Sequence, residues 1–282
     1  VAFFYPLVAF TVYIHWLNPL FISILPLLVR IFPHLMAILK TVKTECSSID
    51  VCRCQDGAIE FRVTGAAHAW WHPRLHLTEY VWDAIAAAVL FHPAQQPRSL
   101  LMLGLGGGTA LRTLRCLLPD LKITAVEIDP GMIALAREYM ALDELEIEVV
   151  QGDAYQFITG HGKTYDVVFD DVYRSGVSDV ERPKPFNAPL AKQLQKLVDP
   201  TGIFALNLCL GVGHRKQQSW ARNIFAIHFQ ESRVVKPWLG ANEVLIGGAQ
   251  LGPISAVRSA GARFPESEDQ LNWRKIQSRK LT

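Results

Sequence analysis

Apolar positions fall into three regimes along this chain. From Val1 to Val29 no charged residue interrupts a run rich in Leu, Ile, Phe and Val. From Ser99 to about residue 250, short, nearly continuous apolar runs alternate with stretches of helical period. Beyond residue 252 the pattern turns polar.

The middle regime predicts the fold. Strands are expected at "SLLMLGL", "KITAVEI", "EIEVVQG", "YDVVFDD", "GIFALNLC", "SRVVKPWL" and "NEVLIGGA". Helices are expected over 109–118, 130–141, 153–159 and 187–198, and in "KQQSWARNIFAIHF". Strands without polar alternation, separated by amphipathic helices, indicate a parallel sheet covered on both faces. The expectation is an α/β, Rossmann-like, doubly wound sheet of seven mostly parallel strands, the last two forming an antiparallel pair. Ahead of it, "IDVCRCQDGAIEFRVT" predicts a small β-hairpin turning at Asp56-Gly57. "HPRLHLTEYVWDAIAAAVLF" predicts a helix starting at Pro73, with a stripe through Leu77, Tyr80, Val81 and Ile85. The units expected are a hydrophobic segment over 1–40, a hairpin-and-helix region over 45–97, a nucleoside-binding domain over 98–250, and a polar tail with a surface helix over 251–282.

The first regime exceeds the roughly 20 residues that cross a bilayer. Pro6, Pro19, Pro26 and Pro33 divide it, and Arg30, Lys40 and Lys43 follow it. Basic residues after a span favour a cytoplasmic C-terminal part. The expectation is membrane association through residues 1–38, holding a cytoplasmic domain at the inner or plasma membrane. The alternative is a broken apolar helix pair packed on the domain or on a partner. A first residue other than Met leaves room for upstream sequence.

Charge narrows the partners. With 28 Lys and Arg against 26 Asp and Glu, the net charge of +2 gives no reason to expect nucleic acid. Of five cysteines, Cys46, Cys52 and Cys54 cluster, but no second pair follows at zinc spacing. His68, His72 and His76 recur every four residues, yet Pro73 breaks any shared helix face. No metal is expected.

The candidate chemistry sits at strand ends, where doubly wound sheets bind ligands. Gly104, Gly106 and Gly108 let the backbone turn sharply beside a ligand after the first strand. Glu127 closes the second strand, where a carboxylate holds ribose hydroxyls, and Gly152-Asp153-Ala154 follows the third. A carboxylate at Asp153 beside a small residue suits an adenine amino group. No cation precedes Arg112 in the glycine turn, so an adenosine bearing a sulfonium suits this site better than a pyrophosphate.

The stretches "LLMLGLGGGTALRTL", "AVEIDPGMIALAREYM", "VVQGDAYQFI" and "YDVVFDDVY" together resemble the spermidine synthase (polyamine aminopropyltransferase) family, over roughly residues 49–250. The resemblance implies the class I S-adenosylmethionine-dependent methyltransferase fold and a homodimer. It places Gly104, Gly106, Gly108, Glu127, Asp153 and Ala154 around the nucleoside of S-adenosylmethionine or its decarboxylated form. Asp171 falls where aminopropyltransferases keep the aspartate that takes the amine's proton. Tyr173 follows it on the same loop as a second catalytic candidate, and Asp170 reads as a strand-end structural carboxylate, although sequence does not separate the two aspartates. The segment bearing Trp71 and Tyr80 is expected to wall the acceptor pocket, with Arg174 facing a carboxylate.

The departures carry equal weight. The synthases' Gly-Gly-Gly-Asp-Gly-Gly loop grips the donor's amine through its aspartate; Gly107 stands there. Their Ser-Ser-Asp-Pro becomes Val172-Tyr173-Arg174-Ser175, and their Asp-Glu pair ahead of the tyrosine becomes His76-Leu77. A doubly charged diamine needs carboxylates to replace its lost hydration. The reading is therefore an S-adenosylmethionine-binding methyltransferase acting on a small-molecule acceptor. The alternatives are aminopropyl transfer from the decarboxylated donor, and a non-catalytic nucleoside-binding membrane protein.

Overall fold

The computed structural model describes residues 36–176 and 180–281. The apolar segment behind the membrane expectation lies almost wholly outside them. Among the described residues, no helix is long and apolar enough to cross a membrane.

The predicted hairpin is part of a larger unit. Strands β1 (Ala37–Lys43), β2 (Ser48–Arg53), β3 (Ile59–Val63) and β4 (Ala66–Trp71) form one antiparallel sheet in sequential order. Its tight turn is the predicted one: Gly57 has φ +90°, and the Asp56 carboxylate accepts from Ala58 N at 2.9 Å. Ile49, Val51, Phe61, Val63 and Ala69 turn one face into the core.

The following helix, α1 (Val81–Val89), starts eight residues later than Pro73 suggests. Side chains capture the amides of the intervening stretch before a helical ladder can. His72 Nδ1 accepts from Arg74 N and Leu75 N, Asp269 from His76 N and Leu77 N, and Asp83 from Thr78 N and Glu79 N. Once begun, α1 is buried from Asp83 to Val89, and its alanines let it lie close against the sheet.

The main sheet has eight strands, one more than expected, ordered β14-β12-β13-β11-β8-β5-β6-β7. Its parallel half is β5 (Ser99–Leu103), β6 (Lys122–Glu127), β7 (Glu148–Gln151), β8 (Tyr165–Asp170) and β11 (Val198–Cys209). The antiparallel half adds β12 (Glu231–Lys236), β13 (Asn242–Gly248) and β14 (Gln277–Lys280). A two-residue pair, β9 (Arg174–Ser175) with β10 (Val180–Glu181), stands apart. Each central strand serves two cores. On β5, Leu100 and Met102 face one cluster while Leu101 and Leu103 face the other. This is why the strands read as continuous apolar runs.

Helices α2 (Thr109–Leu117) and α3 (Pro130–Tyr139) contribute to the first cluster. Helices α4 (Ala154–Gly160), α5 (Ala188–Gln195) and α6 (Arg215–His228) contribute to the second. Each lies close to its predicted position.

The C-terminal segment is not a solvated tail. It forms α7 (Ile254–Ala260), α8 (Ser267–Trp273) and the edge strand β14. Phe264 and Trp273 are each 1% exposed and belong to the same core as the small sheet. Trp273 Nε1 donates to Val257 O at 2.6 Å, and Asp269 anchors the stretch ahead of α1. One core cluster holds residues from β2 through Trp273.

Candidate active site

The glycine turn is built by close backbone approach. Gly104, Gly106 and Gly108 have φ of +87°, +55° and +79°. A Cβ at Gly104 would collide with the carbonyl of Asp171, so the first and fourth parallel strands meet there with no room for a side chain. Strand β4 closes over the turn: Trp70 N donates to Thr109 Oγ1 at 2.8 Å, and Thr109 Oγ1 donates back to Trp70 O at 2.9 Å.

A cavity of about 670 Å³ opens at these strand ends. Gly104, Gly106, Glu127, Asp153, Ala154 and Asp171 all line it. Gly108 does not; its left-handed φ turns the chain into α2.

Glu127 is tied to the turn it faces. Oε2 accepts from Leu105 N at 3.2 Å and Gly106 N at 2.9 Å, and Oε1 from Asp129 N at 3.0 Å. Burial still raises its pKa above the ordinary carboxylate range, against those three amides. With about four lone-pair sites on a carboxylate, Oε1 keeps acceptor capacity for a hydroxyl. Asp153 caps α4 through Oδ1, which accepts from Tyr155 N at 2.7 Å and Gln156 N at 3.3 Å. Its second oxygen is uncommitted among the described residues.

The two adjacent aspartates are sharply divided. Asp170 is fully buried and bound to Arg182 Nη2 at 2.5 Å. Asp171 lines the cavity, has no ion pair among the described residues, and accepts from Asn207 Nδ2 at 2.7 Å. Burial pushes its carboxyl up to about 7, with the Asp170 charge adding to the shift and the Asn207 hydrogen bond opposing it.

Four expected residues are placed differently. The Tyr173 ring borders the cavity, but its hydroxyl donates to Asn207 O at 2.9 Å and accepts from Cys209 N at 3.2 Å, which commits it to β11. Arg174 reaches the rim while its guanidinium, 62% exposed, pairs with Glu181 at 2.7 Å, so it does not face inward. Trp71 lies under Arg112, whose guanidinium sits 5.0 Å from the ring centroid, and it does not line the cavity. Tyr80 is 44% exposed at the start of α1, also off the lining. The wall that sequence assigned to Trp71 and Tyr80 is made by His68, Val81 and Trp82. The later start of α1 shifts the lining to Val81 and Trp82.

Gly107 also departs from expectation. It is not part of the lining, and a Cβ there would meet Ala69 Cβ and Met140 Sδ. On this backbone the position has no room for the synthases' aspartate. Sequence reasoning missed Asn207 and Asn242, which no motif marks, and Arg182, which lies in a loop of mixed charge; His68 was weighed only within a histidine repeat. Among the described residues, no group of three or more His, Cys, Asp or Glu is placed to hold a metal.

The spermine/spermidine synthase domain matches residues 81–209, which run from α1 to the end of β11 and contain the glycine turn, Glu127, Asp153 and Asp171. Over these residues the chain is similar to that domain. Two kinds of curated relative align with it. An eEF1A lysine and N-terminal methyltransferase homolog of Drosophila melanogaster is 32% identical over 145 residues, 47% of this chain and 21% of its own length. A polyamine aminopropyltransferase of Desulforudis audaxviator (strain MP104C) is 34% identical over 98 residues, 33% of this chain and 36% of its own length. The chain thus spans only about a fifth to a third of the length of these relatives. In fold it is similar to a probable spermidine synthase from Corynebacterium glutamicum ATCC 13032, with TM-score 0.67 at 18% identity, covering 87% of this chain and 91% of that one. It is also similar in fold to human methyltransferase-like protein 13 in complex with SAH, with TM-score 0.53 at 22% identity, covering 70% of this chain and 93% of that one.

Proposed function

We propose that this chain is a transferase that binds S-adenosylmethionine and moves its methyl group to an amine or hydroxyl of a small acceptor. The observation that carries the reading is one cavity holding Glu127 and Asp153 at the ends of adjacent strands, with Asp171, free of any ion pair among the described residues, on the same lining. Glu127 and Asp153, each with an oxygen still able to accept, would hold the ribose and the adenine. Leu105 and Gly106 offer backbone, not charge, to the rest of the donor. With no carboxylate in the glycine turn and no room for one at Gly107, nothing there repels a donor that keeps its own carboxylate.

The bound donor supplies an electrophilic methyl on sulfur. The acceptor's lone pair forms the new bond to that carbon as the carbon–sulfur pair returns to sulfur. Asp171 takes the acceptor's proton, and positioning within the cavity supplies most of the rate. Tyr173, its hydroxyl committed to β11, contributes a ring face to the wall and no proton.

Aminopropyl transfer is the second reading, favoured by the polyamine aminopropyltransferase relatives and by the same Asp171. The deciding assay supplies each donor with putrescine and follows methylthioadenosine against S-adenosylhomocysteine. We expect little methylthioadenosine; rapid release from the decarboxylated donor would establish the second reading instead.

Donor binding is tested apart from chemistry. By calorimetry, Glu127→Ala is expected to weaken S-adenosylmethionine by about 1.5–3 kcal/mol, since it removes a charge-assisted bond to ribose and frees the turn's amides. Unchanged affinity would remove Glu127 from the donor site.

A further inference from the structure

A second cavity, of about 230 Å³, adjoins the first and shares Tyr173 and Cys209 with it in its lining. Arg182 lines this smaller space and is absent from the lining of the larger one. Its side chain is 4% exposed, and only Nη2 is engaged, by Asp170 Oδ2 at 2.5 Å and the Tyr155 hydroxyl at 3.3 Å. Nε and Nη1 are buried without a hydrogen-bond partner among the described residues. Guanidinium nitrogens can only donate, so buried N–H groups left unmatched on a full positive charge call for an acceptor.

The surrounding charge favours an anion. Asp170 is matched by Arg182, and Glu181, on the cavity wall, by Arg174. Lys184 Nζ lies 4.8 Å from the ring centroid of Tyr155, whose hydroxyl touches Arg182, and among the described residues no carboxylate pairs with it. Among the described residues, that leaves a surplus cation near the buried guanidinium. Gln217 is already spent, its amide exchanging hydrogen bonds with the backbone of Phe186. The hydroxyl of Tyr173, bound to Asn207 O, holds the ring in place, and the ring centroid lies 5.4 Å from the Arg182 guanidinium carbon.

We propose that the small cavity is a carboxylate subsite of the acceptor, with Arg182 as its anchor, so that the acceptor is an amine or alcohol bearing a carboxylate. This rests on the reading of the larger cavity as the transfer site. An acceptor lying along the Tyr173 ring, which lines both cavities, presents its nucleophile toward Asp171 and its anionic end to Arg182. A diamine would bring a second ammonium against the guanidinium and is rejected by like charge. Arg174, the arginine that sequence position favours, is spent on Glu181 in solvent, and the selector is the arginine buried behind Tyr173.

The test uses 5-aminopentanoate and putrescine, equal in reach between an amine and an end group of opposite charge. Calorimetry with the full chain first titrates S-adenosylmethionine, then each probe into the donor complex. We expect 5-aminopentanoate to bind and putrescine not to. Arg182→Lys keeps a cation for Asp170 but loses the unmatched N–H groups, and should weaken 5-aminopentanoate roughly tenfold or more while leaving donor affinity unchanged. Gly213 lines the small cavity and has open space where a Cβ would stand. Gly213→Phe should therefore block the same probe without touching the buried pair. Donor binding with no binding of 5-aminopentanoate, or full binding by both variants, overturns the subsite alone. Failure of the wild-type chain to bind S-adenosylmethionine overturns the transfer reading and the subsite with it.

Discussion

Asp171→Asn is expected to lower turnover by about 10²–10⁴-fold while S-adenosylmethionine binding stays nearly unchanged. The amide keeps the size of the carboxyl and can still meet Asn207 after an amide flip, but it cannot accept the acceptor's proton. Because burial pushes the Asp171 carboxyl up to about 7, the pH profile gives a second signature. Protonated below that value, the group is no base, so kcat/KM should fall about tenfold per unit as pH drops below 7 and level off above it. A bound sulfonium favours the carboxylate, so the kcat limb should lie at lower pH than the kcat/KM limb. In Asp171→Asn the limb should vanish. Turnover within a few-fold of wild type, or an unchanged acidic limb, would remove Asp171 from the chemistry.

Asp170→Ala should cost about 3–5 kcal/mol of folding stability, because it removes the partner of a guanidinium whose side chain is only 4% exposed. It also frees Val172 N, which donates to Asp170 Oδ1 at 3.1 Å. Urea unfolding should show the loss as a lower midpoint with little change in slope. The neighbouring Asp171→Asn should stay close to wild type by the same measure. The two substitutions thus separate a carboxylate that holds the loop from one that does chemistry. An Asp170→Ala chain as stable as wild type would show that the buried pair contributes nothing.

The seven core strands and the helices between them were legible because each is a local pattern: apolar runs that fill two cores, cut by glycine, proline and capping residues such as Asp129, Asp153 and Asn187. The nucleoside end of the site was legible for the same reason. Gly104, Glu127 and Asp153 lie at strand ends, and strand ends of one parallel sheet share an edge. The acceptor end was not. Whether Trp71 or Trp82 faces the cavity depends on where α1 begins. That start is moved by Asp269, 193 residues from His76 in sequence, whose carboxylate takes amides that a helix would otherwise use.

The sequence by itself determined the α/β layering, the order of strands and turns, and the set of carboxylates available to a nucleoside. Tertiary structure alone decided the roles of the acids and arginines. Asp170 and Asp171 are neighbours of identical chemistry, separated only by which one meets Arg182 and which one meets Asn207. Arg174 and Arg182 are likewise indistinguishable in composition, yet one pairs in solvent and the other is buried with unmatched donors. The physical reason is that burial and pairing energies belong to contacts between distant segments, which no local spacing encodes. The C-terminal segment shows the same limit: a polar pattern hid Phe264 and Trp273, which pack into the core only because a sheet edge and α1 leave them a place.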